Sequence, residues 1–330
     1  MAEIFHSYKD FLGWIKENAS VVFAVTGSML ARLDEGRFLN SLKESVSLTV
    51  FSDFKPNPDI SSVINGTDIA RNIQPDLILA VGGGSAIDVA KSIKAEYETD
   101  CLLAVIPTTA GSGSEATKIA VIYKDGVKQS LKSPKMAADA ILFDPDVLPG
   151  LPDYQKRSTL SDALCHAIES MWSIRATEES IAIARSAADA IFANYRAYLN
   201  GDTDAARCIQ KAAYDAGRAI DITATTGGHA MAYKLTKMKG LAHGHACLLA
   251  VKQLWDYMLV RGTDLGPAAE YKDAFDEFYG SVDLEQPELS FEDVDLLASS
   301  VNQERLKNNP LMLSTAEIAT LYRMMAKENL

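Results

Sequence analysis

The sequence is poor in the features that would assign it to a specialised class. Its four cysteines (Cys101, Cys165, Cys208 and Cys247) form no CxxC pair. This scatter indicates reduced thiols in a cytoplasmic protein rather than a disulfide or zinc framework. Lys and Arg total 32 against 44 acidic residues, and the net charge of −12 argues against nucleic acid or anionic membranes as partners. No apolar run reaches the roughly 20 residues that span a bilayer, and the first residues, MAEIFHSYKDFLGW, show no signal-peptide pattern.

What the 330 residues do contain is enough apolar content, 48%, to build large cores. Up to about residue 150, near-continuous apolar runs are typical of strands that are buried on both faces of a parallel sheet. These runs cover residues 21–27, 47–54, 76–82 and 101–109. A helix is predicted over 85–97, with Ser85 and Asp88 as a variant capping box, and a hairpin over 118–131 that turns at Asp125-Gly126.

The pattern changes after Pro149 and Pro152, where it becomes helical almost throughout. Amphipathic stretches cover residues 158–174, 178–199, 203–225, 244–260 and 314–328, whereas the polar segment 262–300 has no clear assignment. We therefore predict an α/β dinucleotide-binding domain over residues 1–150 and an all-helical metal- and substrate-binding domain over residues 151–330.

Two glycine-rich loops follow predicted strands in the first domain. VGGGS (81–85) lets the backbone approach a diphosphate and opens a helix whose free N–H groups would bind it. PTTAGSGSE (107–115) offers small residues and hydroxyls to a cofactor. VGGGS is not the G-x-G-x-x-G fingerprint of a Rossmann domain. The alternative is a glycine-rich turn without a ligand for the first loop and a plain loop for the second.

Histidine is scarce, yet four of the five histidines fall between residues 166 and 245. Asp162 and His166 stand at i and i+4 on a predicted helix and therefore share one face. With His229 and His243 they form a sufficient ligand set for a divalent transition metal. A purely structural role for each histidine is the alternative at this stage.

Six motifs of this sequence occur in the same order as in one known family. PNP (56–58), GGGSAIDVAK (82–91), PTTAGSGSE, LFDP (142–145), DALCHAIE (162–169) and the step from His229 to His243 resemble the iron-containing alcohol dehydrogenases. The resemblance implies their fold, shared with dehydroquinate synthase, in which an α/β nucleotide-binding domain precedes a helical metal-binding domain. It also leaves a homodimer as an option.

Several site residues are implied by this resemblance. The metal ligands would be Asp162, His166, His229 and His243, holding Fe²⁺ or, as in some members, Zn²⁺. Glu169 would be structural or would orient a ligand. The NAD(P)H site would comprise Asn57, Gly83, Gly84, Ser85, Thr108, Thr109, Ser112 and Lys128.

Two departures from the family pattern bear on chemistry. Many members have a histidine four residues after the third ligand, where this chain has Tyr233, a candidate catalytic residue that could hydrogen-bond a substrate oxygen. NAD-preferring members often have Asp where this chain has Gly27. Without that carboxylate a 2′-phosphate is not repelled, so Gly27 favours NADPH over NADH.

A narrower resemblance concerns the substrate. Residues 162–180, 229–246 and 301–313 are similar to the phosphonoacetaldehyde reductase branch, which implies reduction of phosphonoacetaldehyde to 2-hydroxyethylphosphonate. Lys234 and Arg305 are the candidate cations for the phosphonate. A regular helix, however, places Lys234 about 140° round from His229. The alternatives are a relative that acts on a non-phosphonate alcohol or diol and an inactive metal- and nucleotide-binding protein.

Overall fold

The chain folds into two compact units, Met1–Gly150 and Leu151–Leu330. The structure is a computed structural model that describes residues 2–97 and 100–327. Within those two ranges, no helix combines the length and apolar character needed to cross a membrane. The first unit is α/β and the second is helical, so the predicted fold class is confirmed.

Six strands of the first unit form a parallel sheet, and two more form a hairpin. The strands are β1 (Glu3–Phe5), β2 (Val21–Thr26), β3 (Ser47–Phe51), β4 (Leu77–Gly82), β5 (Leu102–Pro107), β6 (Ile119–Lys124), β7 (Val127–Lys132) and β8 (Ala140–Leu142). The sheet order is β1-β8-β5-β4-β2-β3. Strands β6 and β7 pair antiparallel through Asp125 and Gly126, which both have the positive φ of a tight hairpin turn. The predicted hairpin is confirmed.

Helices cover both faces of the sheet, which explains the continuous apolar runs. They are α1 (Tyr8–Asn18), α2 (Arg37–Ser45), α3 (Ile60–Ile73) and α4 (Gly84–Tyr97). Leu77, Leu79 and Val81 of β4 belong to the core that α1 and α2 complete, while Ile78 and Ala80, which alternate with them, face the other side and are equally buried.

Helix α4 begins at Gly84, so Ser85 lies inside it and the predicted capping box is wrong. The Asp88 carboxylate instead accepts hydrogen bonds from Ser114 Oγ at 2.5 Å and from the Val121 N–H at 3.0 Å. These partners are distant in sequence and belong to the second glycine-rich loop and to β6. Through these two hydrogen bonds Asp88 connects the second glycine-rich loop and β6 to α4.

Lys91, one turn further along α4, holds the same loop from within the core. Only 1% of its surface is exposed, and its Nζ donates to the carbonyl oxygens of Ser114 at 2.7 Å and Ile119 at 2.6 Å. It also donates to Thr117 Oγ1 at 3.0 Å. A buried ammonium is tolerated only with such partners, so the conformation of residues 108–119 depends on this side chain.

Replacing Lys91 by Met should therefore destabilise the first unit. The change removes the ammonium donor from the Ser114 and Ile119 carbonyls and from Thr117 Oγ1, and it removes the cation near Asp88. We expect a loss of about 3 kcal/mol in the free energy of unfolding. Chemical denaturation measures it. Lys43→Met, at an exposed position of α2, is the matched control and should change stability by less than about 0.5 kcal/mol. Equal stability of the two variants would contradict the role assigned to Lys91.

The second unit is built from helices that pack around one buried helix. They are α5 (Asp153–Trp172), α6 (Glu178–Leu199), α7 (Thr203–Thr223), α8 (Gly227–Lys239), α9 (His243–Val260), α10 (Lys272–Ser281), α11 (Phe291–Ser299), α12 (Gln303–Leu306) and α13 (Thr315–Met325). Helix α5 contacts α6, α7 and α9, and its residues 160–172 are all buried. Several of those buried residues are polar, and the predicted metal ligands Asp162 and His166 are among them.

Candidate metal centre and cofactor loops

Three helices of the second unit bring the four predicted metal ligands together. Helix α5 carries Asp162 and His166, α8 carries His229, and α9, which packs against both helices, carries His243. Asp162 Oδ1 lies 3.3 Å from His229 Nε2 and 3.9 Å from His166 Nε2. The His229 ring stacks on the His166 ring with centroids 4.5 Å apart and meets the His243 ring edge-on at 5.5 Å.

The chemistry of this cluster fits a divalent metal ion. Within the described part of the chain, neither Asp162 Oδ1 nor His229 Nε2 has a hydrogen-bond partner, although both atoms are buried. Leaving a buried carboxylate oxygen and an imidazole nitrogen without partners costs free energy. A cation that binds both atoms removes that cost.

One further donor joins the cluster that the sequence did not single out. Asp162, His229, His243 and Cys247 each place a ligand atom within 4.8 Å of the others. His166 lies outside this group of four, although it stays close to Asp162. The signal for Cys247 was its spacing, because it follows His243 by four residues and so shares its face of α9.

Gly244 permits the close packing of α9 against α5, which brings His243 next to α5. A Cβ at this position would come within 1.9 Å of the Ser158 carbonyl oxygen and 2.7 Å of Asp162 Cβ. A hydrogen bond from the next residue stabilises this contact between α9 and α5, because the His245 N–H donates to Ser158 Oγ at 3.1 Å. Only glycine therefore allows the first turn of α9 to lie against α5.

The His245 side chain links this turn to two other segments. Its Nε2 lies 2.8 Å from the Glu285 carbonyl, which can only accept, so Nε2 carries the proton. Its Nδ1 then accepts from the Tyr154 hydroxyl at 3.0 Å, and that oxygen in turn accepts from the Ala242 N–H at 2.9 Å. The start of α9 is thereby tied to α5 and to the segment around Glu285.

Glu169 orients His229, the third of the predicted metal ligands. Its Oε2 accepts a hydrogen bond from His229 Nδ1, so in the neutral imidazole, the form that can bind a metal, Nε2 is the nitrogen without a proton, and it faces Asp162. Its Oε1 accepts from the Thr226 N–H at 3.0 Å, the Thr226 hydroxyl at 2.5 Å and the His229 N–H at 3.3 Å. Glu169 is fully buried and fixes both the backbone and the ring of His229.

The electrostatics of the cluster favour a cation. Burial opposes ionisation of Asp162, but His166, His243 and His229 outweigh it and hold the pKa of Asp162 well below its usual range. Burial would lower the pKa of His229, but the charge of Glu169, its hydrogen bond to Nδ1 and the charge of Asp162 outweigh burial and raise that pKa to about 9. The field that attracts a proton to His229 Nε2 attracts a metal ion equally.

Tyr233 and Arg305 extend the cluster on the His243 side. The Tyr233 ring stacks on the His243 ring, with centroids 5.4 Å apart and planes 8° from parallel. Arg305 Nη1 donates to the Tyr233 hydroxyl at 2.8 Å and to Thr225 Oγ1 at 3.2 Å, and its guanidinium carbon lies 4.9 Å from the Tyr233 ring centroid. Lys234 falls outside this arrangement, because unbroken α8 turns it about 140° from His229.

The loops predicted to bind a cofactor lie at neighbouring strand ends of the first unit. Thr26 pairs with Val81 and Gly82 with Pro107, so Gly27, Gly83 and Thr108 follow three adjacent strands. This edge, at the carboxyl ends of parallel strands, is where open α/β sheets bind ligands.

The two glycine-rich loops also touch each other. A Cβ at Gly83 would come 3.1 Å from Thr109 Oγ1, and one at Gly84 would come 2.9 Å from Ser112 Oγ. Ser85 follows in the first turn of α4. The loops therefore form one surface at the N-terminus of α4.

The two remaining candidates for the cofactor lie either side of β6. Asn57 is exposed with a φ of 57°, and the carbonyl of the next residue, Pro58, accepts from the Tyr123 N–H at 2.8 Å. Tyr123 pairs with Lys128 across the hairpin.

Replacing Glu169 by Gln tests the orientation of His229. Three donors converge on Oε1, so the amide oxygen takes that position and the amide NH₂ faces His229 Nδ1. The ring must then carry its proton on Nε2, where it blocks the metal. We expect metal affinity to fall about 10- to 100-fold, measured by competition with a chromophoric chelator. Glu178→Gln, at the exposed start of α6, should leave the affinity unchanged; an unchanged affinity in Glu169→Gln would refute the assignment.

Comparisons with known proteins identify the family of the chain. Residues 6–145 match the family model of iron-containing alcohol dehydrogenases, and residues 157–261 match the model of the C-terminal part of that family. A phosphonoacetaldehyde reductase from Streptomyces viridochromogenes is 33% identical over 248 residues, which are 67% of this chain and 62% of that protein. The match thus spans less than two thirds of the relative's length.

Solved structures share the whole fold. An iron-containing alcohol dehydrogenase from Thermotoga maritima has a TM-score of 0.89 at 24% identity, over 99% of this chain and 98% of that one. A sulfoacetaldehyde reductase from Bifidobacterium kashiwanohense, solved with NAD⁺, has a TM-score of 0.88 at 25% identity, over 98% and 97% of the two chains. The two family models together cover most of the sequence, and the chain belongs to the iron-containing alcohol dehydrogenase family.

Proposed function

We propose that this protein is a metal-dependent, NAD(P)H-linked reductase of a small aldehyde, and that the aldehyde is phosphonoacetaldehyde, reduced to 2-hydroxyethylphosphonate. One observation carries the substrate assignment: Arg305 is held against Tyr233, which in turn stacks on the metal-ligand candidate His243. A permanent cation two side chains from the metal centre suits an anionic aldehyde. Two of the proteins that this chain resembles are named as reductases of phosphono- and sulfoacetaldehyde.

The residues of the cluster would hold the metal as Fe²⁺, with Zn²⁺ as the second option. Asp162, His166, His229 and His243 supply one negative charge, so the centre keeps a net charge of about +1 with a divalent ion. A metal ion held there supplies Lewis acidity that polarises a carbonyl oxygen, and reduced nicotinamide supplies hydride. Glu169 keeps His229 in the tautomer that can bind.

Tyr233 and Arg305 have distinct roles in this proposal. Burial raises the pKa of Tyr233 to about 12, even though Arg305 opposes the shift. The phenol therefore stays protonated at neutral pH and serves as a hydrogen-bonding group for a substrate oxygen rather than as a base. Arg305 binds the phosphonate through charge-assisted hydrogen bonds. Lys234 was the other candidate cation, but its position on α8 makes Arg305 the residue on which the proposal rests.

The dinucleotide would lie on the paired loops of the first unit. Gly83, Gly84 and Ser85 present backbone to the diphosphate at the start of α4, and Thr108, Thr109 and Ser112 line the neighbouring loop. Asn57 and Lys128 would be further contacts. NADH is the carrier that the family supports, and Gly27 makes NADPH the preferred form in this proposal.

Replacing Arg305 by Ala tests the substrate class. Loss of a charge-assisted contact costs about 1.5–3 kcal/mol, so we expect kcat/KM for phosphonoacetaldehyde to fall about 10- to 100-fold. The value for propanal should change little, because propanal has no anionic group. Steady-state NADPH oxidation by the Fe²⁺- or Zn²⁺-loaded enzyme measures both.

The comparison between substrates decides the outcome. Arg207→Ala, which removes an exposed arginine of α7, should behave as the unaltered protein with either aldehyde. A parallel loss on phosphonoacetaldehyde and propanal in Arg305→Ala would refute an anion-binding role. A preference of the unaltered protein for sulfoacetaldehyde would replace the phosphonate by a sulfonate.

Cofactor preference can be tested at Gly27. This residue follows β2, is exposed, and has no atom within 4 Å of where its Cβ would lie, so a side chain can be added. Gly27→Asp should shift the ratio of kcat/KM values from NADPH towards NADH by at least about tenfold, because a carboxylate repels a 2′-phosphate and accepts from a ribose hydroxyl. Gly27→Asn is the uncharged control, and an equal shift in both variants would exclude charge as the cause.

A second candidate function is oxidation or reduction of a non-phosphonate alcohol or diol by the same centre, and activity on propanal alone would favour it. Cofactor binding without turnover on any aldehyde would favour an inactive metal- and nucleotide-binding protein. The homodimer and the cytoplasmic location stay predictions from the sequence.

A further inference from the structure

The connection between α7 and α8 contains a residue in a strained backbone conformation. Helix α7 ends at Thr223 and α8 begins at Gly227. Between them, Ala224 has a φ of 57° and a ψ of 169°, a combination that residues other than glycine rarely adopt. Such a conformation persists only where the surrounding structure holds it in place.

The side chain of Asn308, which is buried just beyond α12, holds this connection. Its Nδ2 donates to three consecutive carbonyl oxygens, those of Thr223 at 2.8 Å, Ala224 at 3.3 Å and Thr225 at 3.1 Å. Its Oδ1 accepts from the Ser173 hydroxyl at 2.8 Å. Both ends of the amide are therefore engaged, and the connection is fixed by one side chain.

The backbone of Asn308 belongs to the turn that carries Arg305. The Asn308 N–H donates to the Arg305 carbonyl at 3.1 Å, and the Asn308 carbonyl accepts from the Ile174 N–H at 3.2 Å. Asn308 thus joins three segments that are distant in sequence. They are the turn of α12, the connection between α7 and α8, and the residues that follow α5.

Arg305 reaches the same connection through its side chain. Its Nη1 donates to Thr225 Oγ1 at 3.2 Å and to the Tyr233 hydroxyl at 2.8 Å. The position of the guanidinium beside Tyr233 therefore depends on where Thr225 lies. The carbonyl of Thr225 is in turn held by Asn308.

The next residue, Thr226, has anchors of its own on the metal side. Its N–H and its hydroxyl both donate to Glu169 Oε1, and its hydroxyl oxygen accepts from Trp172 Nε1 at 2.8 Å. Loss of the Asn308 amide would therefore release Ala224 and Thr225 while Thr226 keeps its contacts. The two halves of this short connection depend on different partners.

We propose that Asn308 is a positioning residue for anionic substrates, an inference that rests on the anion-binding role of Arg305 in the proposed function. The amide holds Thr225, the Thr225 hydroxyl anchors the Arg305 guanidinium, and the cation is fixed in direction before the substrate binds. A cation that is held in advance binds an anion more tightly, because less conformational entropy is lost on binding.

Replacing Asn308 by Ala tests this role through the balance of KM and kcat. For phosphonoacetaldehyde we expect KM to rise at least about tenfold with kcat changed less than about twofold, because the lost contact is equally strong in ground state and transition state. The constants for propanal should stay within about twofold. By calorimetry, the Kd for the product 2-hydroxyethylphosphonate should rise by the same factor as KM.

Two further measurements separate positioning from general damage. The metal affinity, from competition with a chromophoric chelator, should be unchanged in Asn308→Ala because Thr226 keeps its bonds to Glu169. In an Arg305→Ala background, Asn308→Ala should add little further loss, because it acts through that arginine. Asn194→Ala, which removes an amide that donates to one carbonyl of its own helix α6, is the matched control and should behave as the unaltered protein.

The outcomes separate this inference from the proposed function. An equal rise in KM for both aldehydes, a fall in metal affinity, or losses that simply add in the double variant would overturn the positioning role and leave the anion-binding role of Arg305 standing. If Arg305→Ala itself affects both aldehydes alike, the proposed substrate class and the positioning role fall together.

A pair of substitutions at Thr225 decides the matter if Asn308→Ala does not fold. Thr225→Val keeps the shape of the side chain but removes the hydroxyl that anchors Arg305, and it should raise KM for phosphonoacetaldehyde selectively, by about threefold or more. Thr225→Ser, which keeps the hydroxyl, should restore the lower KM. Equal constants in the two variants would exclude Thr225 as the link between Asn308 and Arg305 and so overturn the proposal.

Discussion

The arrangement of the candidate metal centre depends on one carboxylate, that of Glu169, which is buried among the helices of the second unit. A buried carboxylate is tolerated only when each of its oxygens accepts hydrogen bonds. Here Oε2 accepts one from the His229 ring, and Oε1 accepts three, two from Thr226 and one from the His229 N–H. The start of α8 is thus fixed in position and direction. The same packing requires glycine at position 228, because a Cβ there would lie 3.2 Å from Glu169 Oε1 and 2.4 Å from Val251 Cγ2.

The first unit uses the same physical solution with the opposite charge. Lys91 is as deeply buried as Glu169, and its partners are backbone carbonyls and a hydroxyl of the loop that adjoins the glycine-rich turn. In each unit, therefore, a buried charged side chain, Lys91 or Glu169, is hydrogen-bonded to the segment that the proposed ligand would contact. Holding such segments before binding reduces the conformational entropy that binding must overcome.

The features that the sequence predicted are those that depend on neighbouring residues. The apolar runs of β2, β4 and β5, the Asp125-Gly126 turn and the spacing of Asp162 and His166 are local patterns. Asp88 was misassigned because its partners, Ser114 and Val121, lie far along the chain. The partners of Lys91 and the approach of Cys247 to Asp162 arise only from tertiary packing. Helices α10 and α11 were missed because polar residues dominate 262–300, although Ser290 and Asp293 form a capping box before α11.

The hydrogen bonds of His245 join segments that are distant in sequence into one cooperative unit. The Ala242 N–H, the Tyr154 hydroxyl, the imidazole and the Glu285 carbonyl form one continuous chain. The first turn of α9 therefore cannot fray alone, because opening it also breaks the contact with Glu285. Local unfolding of the segment around Glu285 and exposure of His243 should share one opening free energy. The stability of the candidate metal centre against local unfolding therefore depends on an exposed segment that contributes none of its predicted ligands.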